Sequence, residues 1–344
     1  MSDPASAFRT VDAFLDTLVH VRALKSAFEL GVIDRLISQR SGSASALGRV
    51  LGLDPAASGL LFDLLADADV VALHNGDIRL TRRFTAALLH RDLLEIRLDY
   101  AGFTLDDFTH RFTTLLRDGP SFMAESGLFR LFDYTRSLGG PAADYAHTRT
   151  WMRVTSTLAK YEAEAFLAVH DISGSRRMLD VGGNSGAFAL RFCAANPELR
   201  ATIFDLPTVC DVGLDNVLPH AEAGRISFLS GDLRSDSLPA GFDLITFKSM
   251  LHDWPDEQVG DFIGKAAAAL QPGGTIAIFE RAPLRIDRAA TAVSMIPNLL
   301  FFRSYRPATV YADHFAACGL TMIRHDSVEL DSAFSIITAQ KVAS

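Results

Sequence analysis

Apolar residues recur at three- and four-residue steps through the start of the chain. Phe14, Leu15, Leu18, Val21, Leu24, Phe28, Leu30 and Ile33 put one stripe on a helical face across residues 11–36. A second helical unit starts at the cap-competent Ser43 and Ser45 and stops at Gly52. Asp54 and Pro55 then open a helix over residues 57–68 as N-cap and first-turn proline. Asn75-Gly76 follows between two short apolar runs, a strong hairpin signal. Helices followed by a hairpin make a winged-helix arrangement. Residues 100–165 stay helical in pattern and are rich in aromatics, including Phe103, Phe112, Phe129, Phe132 and Trp151.

From residue 176 the period changes. Short β-branched or apolar runs at 178–181, 201–206, 226–229, 244–248 and 275–280 alternate with helical stretches near 187–196, 256–270 and 309–318. Strands alternating with helices predict a parallel α/β sheet. Gln271-Pro272-Gly273-Gly274 supplies a sharp helix-to-strand turn. The chain therefore divides into a helical domain at 1–100, a helical connecting segment at 101–165 that contributes a pocket wall, and an α/β domain at 166–344.

Composition narrows the class. With 344 residues, 49% of them hydrophobic and a formal charge of −8, the chain suits two globular domains and excludes collagen-like, disulfide-scaffold and disordered classes. No run approaches the roughly 20 apolar residues of a membrane span, so no membrane association is expected. Cys193, Cys210 and Cys318 are odd in number and carry no metal-ligand spacing. Together with a start that lacks a basic stretch before an apolar core, they predict a cytoplasmic protein without a metal. The winged-helix pattern raises DNA binding, and charge argues against it. Residues 1–100 carry 11 Lys/Arg against 13 Asp/Glu, a net of −2, and the candidate recognition helix holds Asp63 and Asp67 but no base. Self-association is the alternative use of such a domain.

The first strand of the α/β region runs into Asp180-Val-Gly-Gly-Asn-Ser-Gly186. Glycines at a strand-to-helix turn let backbone approach a ligand. The spacing fails the G-x-G-x-x-G dinucleotide fingerprint, and no lysine follows Gly186 as a P-loop requires. Asp205 closes the second strand, where a carboxylate accepts hydrogen bonds from ribose hydroxyls. Asp232, with Leu233, ends the third, positioned to take an adenine amino group and pack on its ring. A turn, a ribose acceptor and an adenine clamp on one sheet edge describe a nucleoside site with nothing supplied for a pyrophosphate.

In order, LDVGGNSG, IFDLP, SGDL, FKSMLHDWPDEQ and LQPGGTIAIFE resemble the S-adenosylmethionine-dependent small-molecule O-methyltransferases, a family of plant caffeate-type and bacterial tailoring enzymes. The helical FELGVIDRL segment is similar to that family's dimerisation domain. The resemblance implies a Rossmann-like class I methyltransferase sheet behind a winged-helix-like dimerisation domain, and a homodimer acting on a small, largely aromatic hydroxyl compound. It also implies cofactor contacts at Gly182, Gly183, Asp205, Leu206, Gly231, Asp232, Leu233 and Lys248.

His252 falls just past the fourth strand, on the edge that carries Asp205 and Asp232. The family uses the matching histidine as general base. A phenol with a pKa of about 10 is protonated at neutral pH, whereas an imidazole near 6.5 is free to accept its proton. Glu280, ending the fifth strand, would hold the other ring nitrogen and fix the tautomer. Asp253 and Pro255 suit the N-cap and first turn of the next helix. Trp151, Met152 and Asn298 are the candidate substrate contacts.

Two positions depart from the family pattern. Asn184 stands where glycine is usual, and asparagine tolerates a left-handed backbone. The stretch 301–311 lacks the second acidic residue that family members carry beside the histidine. N- or C-methylation and a non-methylating use of the cofactor site therefore stay open.

Overall fold

The computed structural model describes residues 3–286 and 292–343. They fall into two compact units: Ser6–Phe122 with residues 286 and 292–300, and residues 3–5 with Met123–Arg285 and residues 301–343. The division differs from the expected boundaries near 100 and 165. The helix Arg91–Arg117 runs through the first of them without a break, and Ala142–Val169 belongs to the sheet unit. Residues 292–300 return to the helical unit, where Ile296–Leu300 packs on Arg91–Arg117, a long-range return that local periodicity does not encode.

In the helical unit the apolar stripe of residues 11–36 is cut into three helices, Ser6–Asp12, Leu18–Glu29 and Val32–Gln39. Thr17 caps the second by accepting from His20 N at 3.1 Å. Ser43 and Asp54 cap the next two, and Asp54 accepts from Ala57 N at 2.8 Å. The hairpin pairs Val71–His74 with Asp77–Leu80. Asn75 and Gly76 both have positive φ, 50° and 82°, as a tight primed turn demands. Phe8, Leu24, Ile33, Leu65 and Ile78 are buried in the core of this unit, as is Phe14, which packs edge-on against Phe84 at 5.0 Å.

The sheet unit is numbered in its own order. Its strands are β1 (Arg177–Val181), β2 (Arg200–Asp205), β3 (Ile226–Ser230), β4 (Phe242–Lys248), β5 (Leu270–Arg281), β6 (Thr321–Glu329) and β7 (Ala333–Gln340). Their spatial order is β3-β2-β1-β4-β5-β7-β6. The first five are parallel, while β7 runs antiparallel between β5 and β6. Order reverses between β1 and β4, and a doubly wound sheet opens its crevice at that point. Helices α1 (Ala142–Val169), α2 (Ala187–Ala195), α3 (Pro207–Val217), α4 (Asp256–Ala269) and α5 (Ala308–Ala317) accompany it.

The buried positions of the central strands are mostly apolar because both of their faces are covered. Met178, Leu179, Ile245 and Phe247 are fully buried. On one side Val259, Ile263 and Phe315 complete the core; Phe166, Phe188, Phe192 and Phe279 form a second aromatic cluster with ring centroids 4.4–6.3 Å apart. This packing fixes the β1 and β4 ends, and the site is built on them.

Candidate active site

The turn after β1 holds Gly182 at φ 66°, Asn184 at 56° and Gly186 at 72°. Asn184 thus takes the left-handed conformation that its side chain tolerates. A Cβ on Gly182 would lie 2.6 Å from Met250 Cγ, and one on Gly183 2.7 Å from Asp180 Oδ2, so neither position has room for a side chain. The turn is tied to β2: Asp205 accepts from Asn184 N through Oδ2 and from Leu206 N through Oδ1, both at 2.8 Å. Burial pushes the Asp205 carboxyl up to about 6 against these two donors.

A cavity opens along this edge. Gly182, Gly183, Asp205 and Leu206 line it from β1 and β2, and Gly231, Asp232, Leu233 and Lys248 from β3 and β4. Asp232 is engaged by a neighbour that sequence reasoning missed. Arg234 Nη2 lies 2.6 Å from its Oδ2, and this ion pair holds the Asp232 carboxyl below its ordinary range. Trp254 and Phe262 also wall the cavity, edge to face at 5.6 Å, with the Arg234 guanidinium 5.7 Å from the Trp254 ring. Leu233 and these two rings line the same cavity.

Asp180 was missed as well, although an acid directly ahead of a glycine turn was a visible signal. It is fully buried and lines the cavity; Thr246 Oγ1 donates to its Oδ1 at 2.6 Å, and its Oδ2 has no hydrogen-bond partner. Burial pushes this carboxyl up to about 7. Ser249, at φ 48°, is a second lining residue whose hydroxyl is buried without a partner.

His252 lies on the short 3-10 turn Leu251–Asp253 beyond β4. Its Nδ1 is 2.7 Å from Glu280 Oε2, while Glu280 Oε1 accepts from Met250 N and Leu251 N, each at 2.8 Å. Asp253 Oδ1 stands 3.4 Å from His252 Nε2, and Tyr134 Oη donates to Asp253 Oδ2 at 2.8 Å. The histidine therefore sits between two carboxylates. Burial alone would lower its pKa, but Glu280 and Asp253 together outweigh that and hold it above its ordinary value. Burial raises the Asp253 carboxyl, whereas His252 and the two backbone donors overcome burial at Glu280 and lower it.

Asp253 consequently does not cap the following helix. Pro255 occupies the N-cap position of α4, and the Asp253 carboxylate is spent on His252 and Tyr134. Arg306 clamps the turn by donating to the carbonyls of Leu251, at 3.0 Å, and Trp254. Phe301 and Tyr305 present ring edges to the imidazole at 6.4 and 5.8 Å.

Tyr134, Asp253 and Trp151 extend the cavity toward this group. Trp151, Thr155 and Ala159 share one face of α1 at i, i+4 and i+8, and all three line it. Met152, one step round the helix, is buried and is not part of the lining, and neither are His252 and Glu280. Asn298 is buried in the helical unit, where its amide meets Met295 Sδ at 3.8 Å.

Residues 130–303 match the family described as an O-methyltransferase domain. Demethylspheroidene O-methyltransferase of Cereibacter sphaeroides is 30% identical over 76% of this chain and 67% of its own length. A 3-hydroxy-5-methyl-1-naphthoate 3-O-methyltransferase of Streptomyces sahachiroi is 36% identical over a stretch that spans 36% of each chain, about a third of that relative. Human N-acetylserotonin methyltransferase, solved with S-adenosylmethionine, shares the fold at a TM-score of 0.73 with 21% identity, over 98% of each chain.

Proposed function

The chain belongs to the S-adenosylmethionine-dependent O-methyltransferases, and from that membership we propose that it methylates a hydroxyl oxygen of a small aromatic compound, with His252 as general base. One observation carries the proposal: the cavity lined by the glycine turn and Asp205 continues to Asp253, whose carboxylate meets His252.

The residues suit the cofactor. Gly182 and Gly183 let Met250 and Asp180 pack directly against the turn's backbone, and Asp180 Oδ2 and Ser249 Oγ are buried polar atoms that lack hydrogen-bond partners within the protein. Native sites seldom leave such atoms unpaired, and a polar ligand would satisfy both. Asp205 would accept from the ribose hydroxyls, Asp232 and Leu233 would bind the base, and Lys248 would face the amino-acid end. When bound, S-adenosylmethionine supplies an electrophilic methyl group. The protein's remaining work is alignment and removal of one proton.

Glu280, ionised and accepting from Nδ1, leaves Nε2 as the basic nitrogen. Asp253 lines the cavity and lies 3.4 Å from that nitrogen, so a substrate hydroxyl docked beside Asp253 would pass its proton toward Nε2. Trp151, Tyr134 and Phe132, with ring centroids 5.5 and 6.0 Å from Trp151, suit an aromatic guest.

Incubation with labelled S-adenosylmethionine and a panel of hydroxyaromatics tests the proposal. Methylated product with stoichiometric S-adenosylhomocysteine is the expected result, and turnover of substrate without that release excludes it. We also assign the helical unit to pairing of two copies, in the cytoplasm. Val50, Leu60 and Leu89 are 61–81% exposed on it, and a second copy would cover them. Light scattering at twice 37.4 kDa is the expected mass.

A further inference from the structure

Behind the cavity four charged side chains meet in a buried cluster. Glu162, on α1, is fully buried, and its carboxylate pairs through Oε2 with Lys248 Nζ and through Oε1 with Arg281 Nη2 at 3.3 Å. Arg281 also meets Asp331, in the β6–β7 turn, at 3.2 Å, and its guanidinium lies 4.5 Å from the Phe334 ring. Two cations and two anions balance. Lys248 ends β4 and Arg281 ends β5, so Glu162 ties together the ends of the strand that leads into His252 and the strand that carries Glu280.

We propose that Glu162 is a positioning residue for the cofactor site, holding the Lys248 ammonium in the cavity wall. The inference rests on the reading that Lys248 contacts the cofactor. A lysine is a point charge on a flexible four-carbon stem, and nothing in its own rotamers fixes where the ammonium points. Lys248 is only 12% exposed, and Arg281 shares its anion. Without Glu162 two buried cations would be left close together with no charge between them, which is strongly unfavourable. Lys248 would then swing away from Arg281, and the cofactor would meet a mobile cation instead of a fixed one. Both carboxylate oxygens of Glu162 are engaged by cations, so the cluster uses its charge as well as its shape.

Calorimetric titration of the full chain with S-adenosylmethionine, and separately with S-adenosylhomocysteine, supplies a readout independent of turnover. Lys248→Met is expected to weaken binding of both. Glu162→Gln, which keeps shape and removes charge, is expected to weaken it by about tenfold or more, while kcat at saturating cofactor stays within about threefold. Placed in the Lys248→Met background, Glu162→Gln is expected to add nothing, because the two changes break one linkage. The double variant also restores neutrality, so it keeps the cycle readable if the single variant fails to fold; Glu162→Asp, with charge on a shorter stem, then takes the single variant's place. Equal losses in both backgrounds, or weakened binding by Lys248→Met with none by Glu162→Gln, would overturn the positioning role. Binding by Lys248→Met at the wild-type level would also overturn it, and would place the failure in the lysine contact itself.

Discussion

The 2.7 Å contact between His252 Nδ1 and Glu280 Oε2 decides which ring nitrogen is left to do chemistry. An ionised carboxylate only accepts, so Nδ1 carries the hydrogen and Nε2 carries the lone pair. Both Glu280 oxygens are fixed, one by the imidazole and one by two backbone amides, so the ring has little freedom to turn.

His252→Ala is expected to lower kcat by about 10²–10⁴-fold, the usual contribution of a general base, with little change in cofactor affinity. Full-rate product from this variant would sink the base assignment and favour methylation of an atom that needs no deprotonation.

The pH profile follows from the sign of the His252 shift. Its pKa is raised, so the neutral base is lost at a higher pH than for a free histidine, and the acid limb of kcat lies above about 6.5. Glu280→Gln removes a charge that raises it. The limb should move to lower pH while the maximal rate falls by about tenfold or more, since hydrogen bonds to charged groups are worth about 1.5–3 kcal/mol. A limb that stays put would disconnect Glu280 from the titrating group.

Asp205 makes a separate pH prediction for binding. Burial raises its carboxyl to about 6, and the ionised form is the one that accepts from two hydroxyls. Affinity for S-adenosylmethionine should be present above that value and fall by about tenfold per pH unit below it, a slope that Asp205→Asn removes. Calorimetry between pH 5 and pH 8, taken as roughly bracketing the transition, separates this limb from the kinetic one.

Gly182→Ala places a side chain at φ 66° and 2.6 Å from Met250 Cγ. The backbone cost alone is about 1–2 kcal/mol, and the methyl group also intrudes on the turn that lines the cavity. Lower thermal stability together with weaker cofactor binding is expected; a variant that binds as wild type would show that the turn does not approach the ligand.

Much of this site was legible because it rests on local signals. Strand runs at 178–181 and 244–248, the glycine turn and the acids at strand ends follow from period and turn chemistry, and a parallel sheet carries them to one edge. What escaped depends on contacts distant in sequence. Asp253 reads locally as a helix cap, and only the approach of Tyr134, 119 residues earlier, shows what its carboxylate does. Glu162 looks like one polar position among several on a long helix until β4 and β5 bring Lys248 and Arg281 to it. β6 gives no clean alternation because it is an edge strand with exposed residues on both faces, and β7 is placed by antiparallel pairing with β5 and β6, which local period does not encode.

Tyr134→Phe tests whether Asp253 supplies the second carboxylate absent from residues 301–311. Burial raises the Asp253 carboxyl, and the Tyr134 hydroxyl opposes burial by donating to the ionised form. Removing the hydroxyl should therefore raise Asp253 further and leave it neutral over more of the pH range. A neutral Asp253 no longer raises His252, so the acid limb of kcat should shift to lower pH, in the same direction as with Glu280→Gln but by less. The Tyr134 ring remains in place beside Trp151, so the aromatic wall is kept and substrate KM should change little. A large rise in KM without movement of the limb would mean that Tyr134 serves the pocket wall alone, and that Asp253 acts on the imidazole without its help.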